Sequence, residues 1–500
     1  MHSRRRSSSI SSQDAPYQSL PHVPTSLEAA VPPVVLEDSG VFAEEDELDG
    51  VEVHNLPPDS RIRWVHFLLG CAVLLPWNVL ITATPFFLSR LEGSSIYKLF
   101  SSYLSVSFTI SNFTFLAHAT ATTKNSSPAR RIRWAIIQLA LLSVLFTLLT
   151  FIILPPGLFA AVVLVAGVTM AGTGSYLQTA VFAVGSLFGP RVLQAIMAGQ
   201  AAVAIVVSVV QLFSATVSVH TSSDLGPAAL ALAQDDAAAR SARAFFGLST
   251  LFLLVTASAS VWMSQLPAYK AVVAPTETHT RTWTRRLSHD LGEERAFLAE
   301  STDSIAPPTR DAKARILDIA GRNLVYEVAV AYVFIVTLSV YPPITISVQP
   351  VHPDTNALIF TSVHFLIFNL GDFAGRSLCS FPALLTWNDK RLLAFSLART
   401  LFIPLFLLCN INPGTTPFIN SDALFFLILL LFGLSNGYVG SMCMMSAPNL
   451  EHNKRLKERR EDVDIAATVI SFCLVGGLVI GSFASFGVRA LMCRCNPFMG

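Results

Sequence analysis

Apolar residues along this chain come in long unbroken blocks, without the three-and-four spacing of an amphipathic surface helix or the alternation of a half-buried strand. From about residue 61 onward the blocks recur, each near the ~20 residues that carry a helix across roughly 30 Å of bilayer hydrocarbon. They predict eleven membrane-spanning helices, over 62–88, 96–119, 133–154, 157–187, 191–219, 241–265, 323–346, 356–385, 391–411, 421–446 and 463–491. The polar, highly charged stretch after the sixth predicts a long soluble loop over 268–322, so the chain divides six plus five. The expected organisation is a polar tail (1–60), a first half (61–267), the loop (268–322), a second half (323–491) and a short tail (492–500).

Composition agrees with this pattern. Only 13% of residues are charged and 52% are hydrophobic, with a mean hydropathy of +0.55, whereas soluble domains carry about 25% charge. An all-α polytopic membrane protein follows, with the lipid bilayer as its first partner. A formal net charge of +1 argues neither for nucleic acid nor for an acidic partner. The seven cysteines, Cys71, Cys379, Cys409, Cys443, Cys473, Cys493 and Cys495, lie mostly inside apolar blocks without ligand spacing. Neither a disulfide scaffold nor a metal is expected, and no cofactor. The N-terminal tail lacks the apolar core of a signal peptide and reads as a disordered cytosolic segment. Its "RRRSSS" is a candidate phosphorylation site, and "YQSL" (Tyr17 to Leu20) has the form of a tyrosine-based sorting signal. That signal points towards an internal, vacuole-like membrane, with the plasma membrane the alternative.

Orientation follows from the basic residues, because cytoplasmic loops near the membrane collect Lys and Arg. The loops after the second, fourth, sixth, eighth and tenth spans carry Lys124, Arg130, Arg131, Arg133, Arg191, Lys390, Arg391, Lys454, Arg455, Lys457, Arg459 and Arg460, besides the many in the central loop. The intervening loops carry His and Asp instead. The N-terminus is expected inside and the C-terminus outside or lumenal. The sequons at Asn112, within a span, and Asn125, in a cytosolic loop, are then out of reach of glycosylation.

Charges inside the blocks are the candidate chemistry. In "FNLGDFAGR" (368–376), Phe365, Asn369, Asp372 and Arg376 recur every three or four residues and share one helix stripe, with His364 at its edge. A charge at the bilayer centre costs about 2.5–3.5 kcal/mol on insertion scales, so this stripe must face other helices or a wet cavity. Two readings stand: an i,i+4 Asp–Arg pair that locks helices together and is shared with Arg399 of the ninth span, or the lining of a path for a polar solute. Three features favour the path. Pro76 interrupts the first span beside Trp77 and Asn78, Pro342 and Pro343 end the seventh, and a lone amide, Gln178, sits among the small residues of the fourth. Prolines in the first helix of each half suggest two related halves with bent gating helices around a midplane site.

At these residues the chain resembles a known family. "LLPWNVLITATPFF", "IMAGQ", "FNLGDFAGRSL", "ARTLFIPLFLLCNINP" and "LSNGYVGSMCMM" look like the signature segments of equilibrative nucleoside transporters, in order and with the same six-plus-five count. The likeness covers about 61–491. It implies a fold similar to the major facilitator superfamily and facilitative movement of nucleosides, and often nucleobases, by alternating access; a monomer is expected. It further implies that Leu74, Trp77 and Asn78 wall the central cavity and that Gln178 bonds the base. Phe365, Asn369, Asp372 and Arg376 match the segment whose acid and arginine contact the sugar. Such roles suit a nucleoside, which offers a flat base, an amide-like edge and ribose hydroxyls.

The chain departs from the family pattern at Gly371 and Phe373, which flank the acid, and at His364 and Glu327, where ionisable groups replace apolar or small ones. His364 and Glu327 are therefore candidate pH-sensing groups, since an unperturbed imidazole titrates near ~6.5; the plain alternative for His364 is a packed, neutral ring. The alternative functions are a proton-influenced carrier of nucleosides or organic cations in an internal membrane, and a channel or receptor. An intramembrane aspartyl protease would need a second membrane carboxylate beside Asp372, and no other Asp lies mid-span. The chain is not expected to be an enzyme. The topology is checked by cysteine accessibility or protease protection: 268–322 is expected in the cytosol and the segment after Arg489 on the other side. Both on one side would overturn the six-plus-five order.

Overall fold

A computed structural model describes residues 59–493 except 98, 124–126, 222–226, 276–308, 343, 353, 412–416 and 458. The tail motifs, most of the central loop, Asn125, Pro343 and the C-terminal end lie outside the described residues. The rest is helical: α1 (Ser60–Thr82), α2 (Thr84–Arg90), α3 (Phe100–Ala121), α4 (Pro128–Leu149), α5 (Pro156–Leu187), α6 (Pro190–Thr221), α7 (Pro227–Met263), α8 (Thr309–Val340), α9 (Ala357–Leu378), α10 (Asp389–Ala398), α11 (Phe402–Leu407), α12 (Asp422–Ser446) and α13 (Val463–Cys493).

Among the described residues, nine of these helices are long and apolar enough to cross a membrane. The other two expected spans fall on α3, diluted by Ser and Thr, and on α10–α11, which a 3-10 turn at Arg399–Leu401 joins into one broken rod. The first expected span is two helices, because α1 ends at Thr82 and α2 restarts with Pro85 in its first turn, where a missing N–H costs nothing. Conversely, α7 and α8 begin well before their expected spans. The added residues, "PAALALAQDDAAAR" and "TRDAKARILDIAGR", are good helix formers that need no lipid.

Packing repeats between the halves. In the first, α1 lies along α6 and α3 along α5; in the second, α8 lies along α13 and α9 along α12. The halves meet through α6 against α9 and through α13 against α3 and α5. Numbered as spans, the fifth of each half packs on the second of the other. Outward faces carry apolar side chains such as Phe213, Leu141, Val165 and Leu248 that no helix covers, as a lipid-facing surface requires.

Glycines set how closely the central pairs approach. On α9, Gly371 and Gly375 are one turn apart and face Gly433 and Gly437 of α12. A Cβ built on Gly375 would stand 2.1 Å from the Leu434 carbonyl oxygen, and one on Gly437 1.9 Å from that of Asp372. The backbones therefore touch, the small-residue solution expected where lipid gives no hydrophobic drive between helices. Gly371, the departure beside the acid, is part of this contact. Gly70 of α1 and Gly199 of α6 do the same in the first half, each against backbone of the other helix.

At the end of the second half where α8 and α13 begin, ion pairs tie the 450–462 connection to its neighbours. Arg315 meets buried Asp462 at 2.5 Å, Arg459 meets Asp318 at 2.8 Å and Arg455 meets Asp389 at 2.8 Å. Exposed pairs are individually worth about 0–1 kcal/mol, and more as a network around a buried acid.

Gly437→Val is expected to cut membrane abundance several-fold and lower the melting temperature in detergent, since overpacking costs about 1–3 kcal/mol and here the neighbour is backbone that cannot yield. Gly157→Ala, with nothing within 4 Å of the added carbon, is expected to be neutral in the same assays.

Candidate functional site

The close approach of α9 and α12 places Asp372 beside Asn436. One carboxylate oxygen, Oδ2, accepts from Arg376 Nε at 2.8 Å; the other, Oδ1, accepts from Asn436 Nδ2 at 2.6 Å. All three residues are buried. Asn436 Oδ1 in turn accepts from the Thr337 hydroxyl of α8 at 2.8 Å, and that hydroxyl accepts from Arg399 Nη2 at 2.8 Å. Arg399, 1% exposed, also donates to the Phe432 carbonyl at 3.0 Å and to the Ser435 hydroxyl, and its guanidinium lies 4.5 Å from the centre of the Phe432 ring. The expected sharing of the ion pair with Arg399 therefore runs through two neutral side chains. Coulomb attraction acts at that range, while carbonyl, hydroxyls and ring face supply the local solvation.

Arg376 also reaches the other half. Its Nη1 donates to the Met197 carbonyl at 3.0 Å and to Gln200 Oε1 at 3.4 Å on α6, and its own carbonyl accepts from Gln194 Nε2 at 3.1 Å. Two turns back along the stripe, Asn369 Nδ2 donates to the Ser208 hydroxyl at 2.6 Å, again on α6. Gln178 of α5 donates to the Ser471 hydroxyl of α13 at 2.8 Å. Among the described residues, the side-chain hydrogen bonds between the halves run from α5 and α9 to the facing parts of α13 and α6. They spread from mid-helix to one end of the bundle, where α5 and α9 finish and α6 and α13 start.

The expected cavity residues are placed unevenly. Trp77 is half-buried and its ring lies 4.7 Å from that of Phe108 on α3. Asn78 spends an amide N–H on the Leu74 carbonyl of its own helix at 2.9 Å, and its Oδ1 is left to act as an acceptor. Leu74, Gln178, Phe365 and Asn369 are half-buried. Tyr341 stacks on Phe368 at 3.9 Å and meets Phe365 edge-on at 5.7 Å. Exposed Pro342 follows it through a cis peptide bond. His364 is buried on the far side, with Nε2 2.8 Å from the Thr345 hydroxyl and its ring parallel to Phe425. Among the described residues no hydrogen bond joins Trp77, Asn78 or Gln178 to the α9 stripe. A cavity of about 220 Å³ is lined by Arg133, Met263, Tyr269, Lys270 and their neighbours, and by none of the stripe residues. Asn436, Thr337, Gln194, Gln200, Ser208 and Ser471 were not singled out in the sequence; the lone amides Asn436, Gln194 and Gln200, in otherwise apolar runs, were the available signal.

A family model described as "Nucleoside transporter" matches residues 164–490. The chain belongs to the nucleoside transporter family. It is 26% identical to human equilibrative nucleoside transporter 1 over 485 residues, covering 87% of this chain and 99% of that one. It is 28% identical to human equilibrative nucleoside transporter 2, covering 85% and 96%. Rat equilibrative nucleoside transporter 3 is 26% identical, covering 85% and 88%. Among solved structures, the E. coli fucose:proton symporter superposes with a TM-score of 0.53 at 14% identity, over 86% of this chain and 93% of that one. The fold is that of the major facilitator superfamily. The transporter is a multi-pass integral membrane protein that moves nucleosides facilitatively, and it is not an enzyme.

In the transporter, Asp372→Ala strands Arg376 at membrane depth, and breaking a buried pair costs about 3–5 kcal/mol. Abundance and melting temperature are expected to fall further than in Asn436→Ala, which removes one hydrogen bond, about 1–3 kcal/mol when a partner is left unpaired. Replacing both charges, Asp372→Leu with Arg376→Met, is expected to recover part of the loss. A double variant no more stable than Asp372→Ala would show that the pair is not the reason for the loss.

Proposed function

We propose that the transporter carries nucleosides, and nucleobases with them, by alternating access through a path between the halves. The chain crosses the membrane eleven times as a monomer, with its N-terminus in the cytosol and its C-terminus outside or in a lumen. The names of its relatives supply the solute class, and the chemistry of the half-buried side chains extends it to free bases. Trp77 and Phe365 offer faces for the base, Gln178 and Asn78 offer a donor and acceptors for its edge, and Asn369 lies beside them towards the sugar. Asp372 and Arg376 meet the ribose hydroxyls when Arg376 releases Met197 and Gln200.

The observation that carries this reading is that the side-chain hydrogen bonds between the halves, among the described residues, lie between mid-helix and one end of the bundle. These bonds are few, neutral apart from Arg376, and made by side chains that can rehydrate, so the two halves can separate there without breaking a core. By the distribution of Lys and Arg, that end faces the cytosol.

The test is uptake of radiolabelled uridine, adenosine and adenine into liposomes containing the purified protein. Saturable uptake with trans-stimulation is expected. Trp77→Ala and Phe365→Ala are expected to raise KM about tenfold, since one stacked base is worth roughly 1–3 kcal/mol. Asp372→Ala is expected to be near background after correction for abundance. A linear, non-saturating ion current would overturn the carrier reading, and unchanged KM in both aromatic variants would overturn the assigned path.

A further inference from the structure

Glu327 of α8 is a buried carboxylate with no cation beside it among the described residues. The residue is 6% exposed, Oε1 has no hydrogen-bond partner, and Oε2 meets only the thiol of Cys473 on α13, at 3.8 Å. The groups around it supply no charge. From α13 the titratable group facing it is Cys473. On its own helix Tyr326 turns its hydroxyl to the Trp387 carbonyl. Asp389 at the start of α10 is paired with Arg455 at 2.8 Å, and Cys443 is on α12. Arg399, beside α10, is held by Thr337, almost three turns further along α8. Asp372, by contrast, has Arg376 and Asn436. An ionised carboxylate in the membrane interior needs a counter-ion, hydrogen bonds or water. Among the described residues Glu327 has no counter-ion and one weak thiol donor.

Its position ties it to the contact between halves. Cys473, Phe472 and Ser471 are consecutive on α13. Ser471 accepts from Gln178 of α5, Phe472 stacks on Phe113 of α3 with ring centres 5.1 Å apart, and Cys473 covers Glu327. A single turn of helix therefore closes on the first half with one face and seals Glu327 with another.

We propose that Glu327 is a proton-binding site whose occupancy is required for the halves to close at this end, making nucleoside transport acid-dependent. Closure buries Glu327 as the neutral acid. When α13 withdraws from α3 and α5, the turn that carries Ser471, Phe472 and Cys473 loses its hold on the first half and the thiol its place over Glu327, so the carboxyl meets water and exchanges its proton with it. The sign is fixed by linkage: the closed state binds the proton more tightly than the open one, so closure is favoured at acid pH and lost as pH rises. Because every transport cycle passes through the closed state, uptake falls in the alkaline direction.

The experiment uses full-length protein in liposomes with equal pH on both sides, no membrane potential and an ionophore. Initial uridine uptake is measured from about pH 5.5 to about pH 8.5, a window wide enough for one carboxyl to titrate. Wild type is expected to lose at least about fivefold of its acid rate by the alkaline end. E327Q, which stays neutral, is expected to hold the wild-type acid rate throughout, and H364C to keep the wild-type slope. In parallel, the infrared difference spectrum between the two pH limits is expected to show a protonated-carboxyl band in wild type that E327Q lacks. A flat wild-type profile, a wild-type slope retained in E327Q, or a slope lost in H364C instead would overturn the proposal. Because the infrared band requires no solute, its absence rejects the proton site even if uridine is not carried, and its presence without uptake faults the assigned solute alone. Should E327Q fail to reach the membrane, E327L serves the same comparisons.

Discussion

A carboxylate inside a membrane must find within the protein what water would otherwise give it, and the solvation of Asp372 is the constraint on which the second half is built. Two oxygens take two donors, Arg376 and Asn436. For Asn436 to arrive, α12 must lie against α9 with backbones in contact, which is why Gly371, Gly375, Gly433 and Gly437 face one another. Asn436 then holds Thr337, and Thr337 holds Arg399, so α8, the α10–α11 rod and α12 are all registered on one acid. Each link is neutral or paired, and the excess positive charge of Arg399 is spread over a carbonyl, hydroxyls and an aromatic face.

The same constraint supplies the moving part. Arg376 serves Asp372 through Nε and has nitrogen donors left over, which it lends to the Met197 carbonyl and Gln200 across the boundary between halves. Breaking those contacts leaves the arginine still paired, so the boundary can open without exposing an unpaired charge. The polar contact at Gln178–Ser471 has the same character on the opposite seam, where the last span of the second half meets the fourth of the first. A structural ion pair and a solute path, set against each other as readings of the sequence, are thus compatible: the pair is structural within its half and releasable across the seam.

Much of this was legible from the chain. Block length alone located the nine crossing helices, and periodicity placed Phe365, Asn369, Asp372 and Arg376 on one stripe, because a charge in a long apolar run has few tolerable positions. The sharing with Arg399 was anticipated, but its route through Thr337 and Asn436 was not, since it depends on which helices pack together. For the same reason Gly371 stood out only as a departure, while its facing glycines lie some 60 residues away in sequence. Hydropathy blurred α3, where Ser and Thr bond their own helix, and α10–α11, where the turn at Arg399 interrupts the rod. Propensity, not hydropathy, extends α7 and α8 into water. Asn78 was expected to wall the cavity, and part of its amide is spent on the Leu74 carbonyl of its own helix.

The central claim is that contacts of Arg376, Asn369 and Gln178 form a releasable seal between the two halves. It is tested most directly by distance distributions between spin labels at Arg191, at the start of α6, and Ser380, just beyond α9, both exposed at the sealed end. The account predicts a short and a long population whose ratio shifts on adding uridine, with the short one depleted by Gln200→Ala. A single distance, unmoved by uridine and by that substitution, would contradict it.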